Sequence, residues 1–334
     1  MKPALLYVCR ALGLFLLASR LTAQRPRILC YHGASLEDEH EFRPGLFMQP
    51  ETFVARMKLL RKWNLVPVSL DEIYATQGQR AGNCTPVALT IDDGWAGIAQ
   101  GMLPELKRQG YPATLYLSTY YVEARRPVFK VAVSYLFWKY KRNFEPSERS
   151  CVREFTQQHL LDEQQVLDAS QALGSKWEQP LLEELCGFFG EPLDDWFRSE
   201  KFFFLSREQV RELAFEGLHI ESHTHRHRFS ELDINAAEQE IEDNKRVIVE
   251  LTSKAPAHFC FPRGEYREEQ LQILHRQGIR TATTTRNELV SEADSRFEWP
   301  RIVDSEAVSS VEFEAEITGF MSLLRQVRQL GAHG

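Results

Sequence analysis

Two runs of this 334-residue chain carry the side chains best suited to chemistry, Asp92-Asp93-Gly94 and His223-Thr224-His225-Arg226-His227. A carboxylate joined by two imidazoles four residues apart is the smallest donor set that holds a divalent cation and still leaves positions open to water and substrate. His223 and His227 are spaced to reach one side of a helical turn, with His225 between them directed elsewhere. The apolar run 87–91 reads as a buried strand, so Asp92 and Asp93 fall at its C-terminal end, where α/β folds collect ligands and catalytic groups. Adjacent acids repel one another there unless a cation neutralises one of them. Taken singly, each run has an ordinary reading, Asp-Asp-Gly as a turn and the histidines as surface decoration. Metal-dependent hydrolysis is the chemistry that uses both.

Two further strand ends bring polar groups to the same level. Ile28-Leu29-Cys30-Tyr31-His32-Gly33 ends an apolar run with a protonatable ring, and 259–261 runs into Pro262-Arg263-Gly264, a turn able to form one wall of a groove. Strand-like runs recur at 27–32, 65–69, 87–92, 113–118, 218–222, 257–261 and 280–285. Amphipathic helix-length stretches lie between them at 50–63, 95–109, 206–215, 234–251 and 268–277. Such alternation predicts parallel strands with crossover helices, as a barrel or an open α/β sheet. From about 127 to 201 the rhythm breaks. Helical segments at 132–141, 150–159 and 180–189, stapled by Trp138, Trp177 and Trp196, read as an insertion between two strands that shapes a cleft or forms a packed subdomain. The stretch 308–330 reads as a closing helix with a frayed tail at 331–334.

Composition narrows the partners. With 43% hydrophobic residues the chain can bury a large core, and 40 basic against 47 acidic residues give no general attraction for nucleic acid. The six cysteines, at 9, 30, 84, 151, 186 and 260, show no Cys-x-x-Cys spacing, so reduced thiols and a cytoplasmic face are the expectation. Residues 1–26 form a separate apolar and basic segment ahead of one domain over 27–334. The apolar part, 4–18, is interrupted by Arg10 and is shorter than the roughly 20 residues that span a bilayer. An export signal with Lys2 in its basic region and a cut near Ala23 is an alternative, to which Leu21 at the minus-three position is a poor fit. The favoured reading is a helix lying on a membrane surface with Lys2, Arg10, Arg20, Arg25 and Arg27 near headgroups, the bland one an ordinary first helix packed on the domain. Localisation is therefore expected at the cell envelope or a membrane, peripheral on the cytoplasmic face rather than exported.

Together the four segments resemble the polysaccharide deacetylase family, the metal-dependent carbohydrate esterases that include chitin and peptidoglycan deacetylases. Thr90-x-Asp92-Asp93-Gly94 is similar to the family's first motif and His223-Thr224-x-x-His227 to its second. The 259–264 run is similar to the aromatic-Pro-aromatic-Gly motif, and Tyr31-His32 looks like the branch with bacterial poly-N-acetylglucosamine deacetylases. The resemblance covers about residues 28–304. It implies a distorted (β/α) barrel with one divalent metal, zinc by expectation, on Asp93, His223 and His227. It also implies Asp92 as general base, His32 as general acid and the Trp95 backbone N–H at the oxyanion, with Pro262, Arg263 and Arg301 near the substrate. Two positions depart from the pattern: Arg263 replaces an aromatic residue, and Cys260 stands where some branches have the arginine that holds the base, a cation that Arg301 could supply. The implied activity is removal of the N-acetyl group from an N-acetylhexosamine in a surface polysaccharide, glycan intermediate or glycolipid. The alternatives are a catalytically silent carbohydrate-binding protein of the same fold, or a mononuclear iron oxygenase, which uses a similar ligand triad.

Overall fold

Parallel strands need long crossovers, and the helix-length stretches between the apolar runs provide them. The computed structural model describes residues 3–76, 84–143 and 162–331. Its strands in chain order are β1 (Arg27–Tyr31), β2 (Gly33–Ala34), β3 (Phe47–Met48), β4 (Leu65–Pro67), β5 (Thr85–Asp93), β6 (Thr114–Leu117), β7 (His219–Ser222), β8 (His258–Cys260), β9 (Thr281–Thr283) and β10 (Ile302–Val303). The main sheet runs β10-β1-β5-β6-β7-β8-β9, with β4 also beside β5, and all its pairings are parallel. A parallel bridge between Thr283 and Trp299 brings the segment ahead of β10 back against β9, curling the sheet into a distorted half-barrel. All of β5 is buried, as expected of a strand covered on both faces. The C-terminal ends of β1, β5, β7 and β8 thus share one rim, which carries His32, Asp92–Asp93, His223 and Pro262.

Several elements differ from the sequence reading. β10 and the small β2–β3 pair are two-residue strands, too short for a period-2 pattern to register. The stretch 95–109 is two helices, Ile98–Gly101 and Leu103–Gln109, the second restarted with Pro104 in its first turn, where a missing N–H costs nothing. The stretch 268–277 is a 3-10 turn, Glu268–Gln270, followed by Leu271–Arg276. The closing segment breaks into Ser310–Ile317 and Phe320–Gly331 at Gly319, whose φ is +77° and whose missing Cβ would lie 2.4 Å from Thr22 Oγ1.

The insertion lies between β6 and β7 as Phe129–Asn143, Glu163–Leu173, Glu178–Phe189 and Leu193–Ser199, and its buried face is continuous with the barrel core. The expected helix at 150–159 falls outside the described residues. Trp196 packs on Tyr135 and Phe202, and Trp138 on Phe42 and Tyr135. Trp177 is 46% exposed and stacks on no ring among the described residues. Lys201 anchors the end of the insertion, its buried Nζ donating to Glu37 (2.8 Å), Asp38 (2.7 Å) and Tyr135 (3.0 Å), and so fixes it to the loop after His32.

The N-terminal segment forms two short helices, Pro3–Ala11 and Leu14–Leu21, that pack on the body. Leu6, Phe15 and Ala18 are buried against Val311, Ala315 and Phe320. Arg27, placed near headgroups by the sequence reading, is fully buried inside β1, donating to the carbonyls of Thr22 (2.6 Å) and Ile317 (3.0 Å). Buried carbonyls claim it because a strand residue on an inward face cannot reach water. Arg25 likewise donates to Leu289 O, and Arg10 pairs with Glu314.

Candidate active site

The two histidines reach the carboxylates without a helical turn. After β7 the backbone bends through 223–227, with left-handed φ at Thr224 (64°) and His227 (57°) that only a braced loop holds. Asn244 Nδ2 donates to Thr224 O at 2.7 Å, the Arg228 N–H to Thr224 Oγ1 at 3.2 Å and the His225 N–H to Glu240 O at 3.0 Å. His225 is turned away, its Nδ1 2.9 Å from Thr119 Oγ1, and takes no part in the centre. Across the rim Asp93 ends β5 with φ 73°, which turns its carboxylate toward the histidines.

Asp93 Oδ1 stands 3.5 Å from His223 Nε2 and 3.5 Å from His227 Nε2. Donors bound about 2.0–2.1 Å from a tetrahedral cation lie roughly 3.3 Å apart, so these three atoms are spaced as a ligand set. His223 Nδ1 donates to Cys260 O at 2.8 Å, which fixes the tautomer and aims the Nε2 lone pair at Asp93. Burial alone would raise the Asp93 carboxyl, yet its pairing with His223 and the neighbouring His227 and His32 hold it well below the usual range. Burial opposes a charge on His223, which Cys260 and Asp93 pull upward; at His227 burial wins and pushes the ring down to about 4. Ligation requires the carboxylate ionised and both imidazoles free of a proton at Nε2, so a divalent cation competes with protons for these three atoms. Two other groupings lie close enough to ligate, Cys30-His32-Asp92 and Asp92-His223-Cys260. Both require Asp92, whose oxygens are already committed, and burial raises the Cys30 thiol far above its usual range.

That commitment is to Arg301. Fully buried, its guanidinium grips Asp92 with two parallel bonds, Nη1 to Oδ1 and Nη2 to Oδ2, both 2.7 Å. It also donates to Thr90 Oγ1 (3.1 Å), Thr284 O (3.0 Å) and Cys260 Sγ (3.0 Å). The thiols of Cys30 and Cys260 each lie 3.5 Å from Asp92 Oδ2. Burial pushes the Asp92 carboxyl up, but the charge and hydrogen bonds of Arg301 outweigh it and keep the group ionised. Each oxygen retains a second lone pair. Of the two expectations for Arg301, the cation that holds the base is the one its position fits; buried behind Asp92 it cannot touch substrate and acts through the carboxylate. Arg301→Met should remove the largest opposition to burial at Asp92, leaving only His223 and His32 against it and raising its pKa, so the acidic limb of the pH–rate profile moves upward and activity near neutrality falls.

His32 is partly exposed, with Nε2 4.0 Å from Asp92 Oδ2 and Nδ1 buried without a partner among the described residues. Trp95 has two functions that a sequence cannot separate. Its indole Nε1 donates to Asp93 Oδ2 at 2.8 Å, a contact the sequence reading missed, and its ring is clamped between Phe47 and Phe204. Its backbone occupies the non-bonded position of an antiparallel bridge with Phe204, the flanking bonds being Ala96 N–H to Phe203 O and Leu205 N–H to Gly94 O. The Trp95 N–H therefore has no partner among the described residues. Trp95→Phe, which removes only the indole donor, should weaken metal affinity about 10–100-fold, measurable by calorimetric titration. Pro262 is buried at the end of β8, and Arg263 follows with φ 59° and an exposed side chain. Gly264, at φ +74°, lies against Thr285, where a Cβ would be 2.2 Å from Oγ1.

Comparison with known proteins gives the family and the fold. The profile of the polysaccharide deacetylase family matches residues 79–282. YxkH of Bacillus subtilis (strain 168), classed as a polysaccharide deacetylase, is 28% identical over 114 residues, 34% of this chain and 41% of that protein. The chain thus matches less than half the length of this curated relative. Among solved structures, the deacetylase PplD of Streptococcus pyogenes in complex with acetate superposes with a TM-score of 0.57 at 17% identity, over 86% of this chain and 96% of that one. IcaB from Ammonifex degensii gives 0.56 at 14%, over 89% and 97%. The de-N-acetylase of Aggregatibacter actinomycetemcomitans gives 0.58 at 14%, over 87% and 99%. At these identities the superpositions establish a shared fold.

Proposed function

The chain belongs to the polysaccharide deacetylase family, hydrolases of carbohydrate N-acetyl amide bonds, and on that premise we propose that it removes the acetyl group from an N-acetylhexosamine with the help of one divalent cation. The substrate is a surface polysaccharide, a glycan intermediate or a glycolipid. The observation that carries this reading is the convergence of Asp93, His223 and His227 beside an ionised Asp92 that is not part of the ligand set. Two nitrogens and one oxygen suit zinc.

A cation on those three residues supplies an acidified water and polarises the acetamide carbonyl. Asp92, held by Arg301 and kept charged, accepts the proton that water sheds as it attacks. Its low affinity for protons in the resting site means that acceptance depends on charge developing during the step. The free N–H of Trp95 donates to the oxygen that becomes negative. His32, at the end of the neighbouring strand β1, delivers a proton to the departing amine, which is a poor leaving group while unprotonated. Exposed Arg263 and the end of the insertion flank the rim and face the glycan.

The test is release of free acetate from a panel of N-acetylated glycans, with and without a chelator. Chelator-sensitive acetate release supports the proposal. Oxygen uptake without acetate would favour iron chemistry, and sugar binding that survives metal removal without turnover would favour a silent binding protein.

A further inference from the structure

The two N-terminal helices present a surface that the catalytic reading does not use. Their inner residues, Leu6, Phe15 and Ala18, are seated on the body, so the outer face is held in place. That face is apolar: Leu12 is 71% exposed and Leu21 67%, with Leu5, Val8, Leu16 and Leu17 also open to solvent. It continues onto the helix Phe320–Gly331, where Val327 is 66% exposed. Between the helices Leu14–Leu21 and Phe320–Gly331 runs a groove of about 150 Å³ lined by Leu17, Leu21, Phe320, Leu323, Leu324 and Val327 among others. A contiguous exposed patch of this kind marks an interface.

Charge selects the occupant. Residues 3–26 contain no Asp or Glu, although the whole chain carries a net charge of -7. Arg20 and Arg328 are exposed beside the apolar face, and Arg10 projects from it while touching Glu314. Exposed apolar side chains accompanied by Arg20 and Arg328 match an anionic lipid surface, where leucines enter the acyl boundary and arginines remain at the phosphates. Among the described residues no single helix is long and apolar enough to cross a membrane, and the pair Pro3–Ala11 and Leu14–Leu21 is bent by 78° about Gly13. We propose that the outer face of Pro3–Ala11 and Leu14–Leu21, extended by Phe320–Gly331, docks the folded protein on the surface of an anionic bilayer. The proposal is independent of the catalytic chemistry and concerns only where the enzyme works.

The test is co-sedimentation of the full chain with vesicles of phosphatidylcholine alone and of phosphatidylcholine with about one third phosphatidylglycerol, at low and high salt. Binding is expected to the anionic vesicles, weaker to neutral ones and weakened by salt. The double variant Leu12→Asp/Leu21→Asp, altered only at exposed positions, should keep the wild-type melting temperature and lose at least about tenfold in partitioning. Arg20→Glu should reduce the preference for anionic over neutral vesicles. Partitioning unchanged in the double variant overturns the proposal. So does a dimer in vesicle-free solution that this variant dissolves, because a second copy would then cover the face. An N-terminus beginning after Ala23 in protein recovered from cells overturns it as well.

Discussion

Asp92→Asn lowers kcat for acetate release by about a thousandfold while metal affinity stays near the wild-type value, the range expected on losing a positioned general base. The substitution also strips the buried Arg301 of its counter-charge, and an uncompensated charge of that kind costs about 3–5 kcal/mol. Loss of activity in the single variant could therefore be loss of fold. The double variant Asp92→Asn/Arg301→Met removes both charges together, which proteins tolerate far better. It should regain most of the melting temperature and none of the turnover. Recovery of activity with stability would show that Asp92 serves structure alone. Circular dichroism melts beside an acetate assay separate the two effects.

The second large effect is at the ligands. His223→Ala removes one nitrogen of the set and leaves the Cys260 carbonyl without its donor, so bound metal and acetate release should both fall by at least about a hundredfold. Asp93→Ala should do the same and also orphan the Trp95 indole. His225→Ala, a change in the same loop whose ring faces Thr119, should alter stability modestly and leave metal content intact. Metal content by elemental analysis of the purified variants, read beside turnover, distinguishes a ligand from a neighbour. A His223→Ala protein retaining full metal would remove that residue from the set.

The sequence made the donors visible in two ways: Asp92 and Asp93 end the strongly apolar β5, while His223 and His227 stand out by their type and spacing after the short strand β7. Types and order suffice for that. What stayed hidden depends on the third dimension. Arg301 was legible as a cation that could hold the base, but its complete burial and its two-pronged grip on Asp92 come from the curl of the sheet beside β10, a two-residue strand with no periodicity to read. The indole of Trp95 meets Asp93 because left-handed backbone at Asp93 folds the chain back on itself, which residue spacing cannot report. His223 and His227 are four apart, as on a helix, yet they converge through bends set by Asn244 and Glu240 of the helix that follows, Ile234–Thr252. At the N-terminus the pattern revealed amphipathic helices, but which side is covered depends on Ser310–Ile317 and Phe320–Gly331, nearly the whole chain away. Arg27 looked like one more surface cation and is instead a buried brace between β1 and the closing helices.

The most direct measurement is anomalous diffraction at the zinc edge from crystals of the protein grown with zinc. One strong peak bonded to Asp93, His223 and His227 at about 2.0–2.1 Å, with Asp92 outside bonding reach and still held by Arg301, is the predicted result. A peak on Cys30, His32 and Asp92, or no peak at the rim at saturating zinc, would contradict the account.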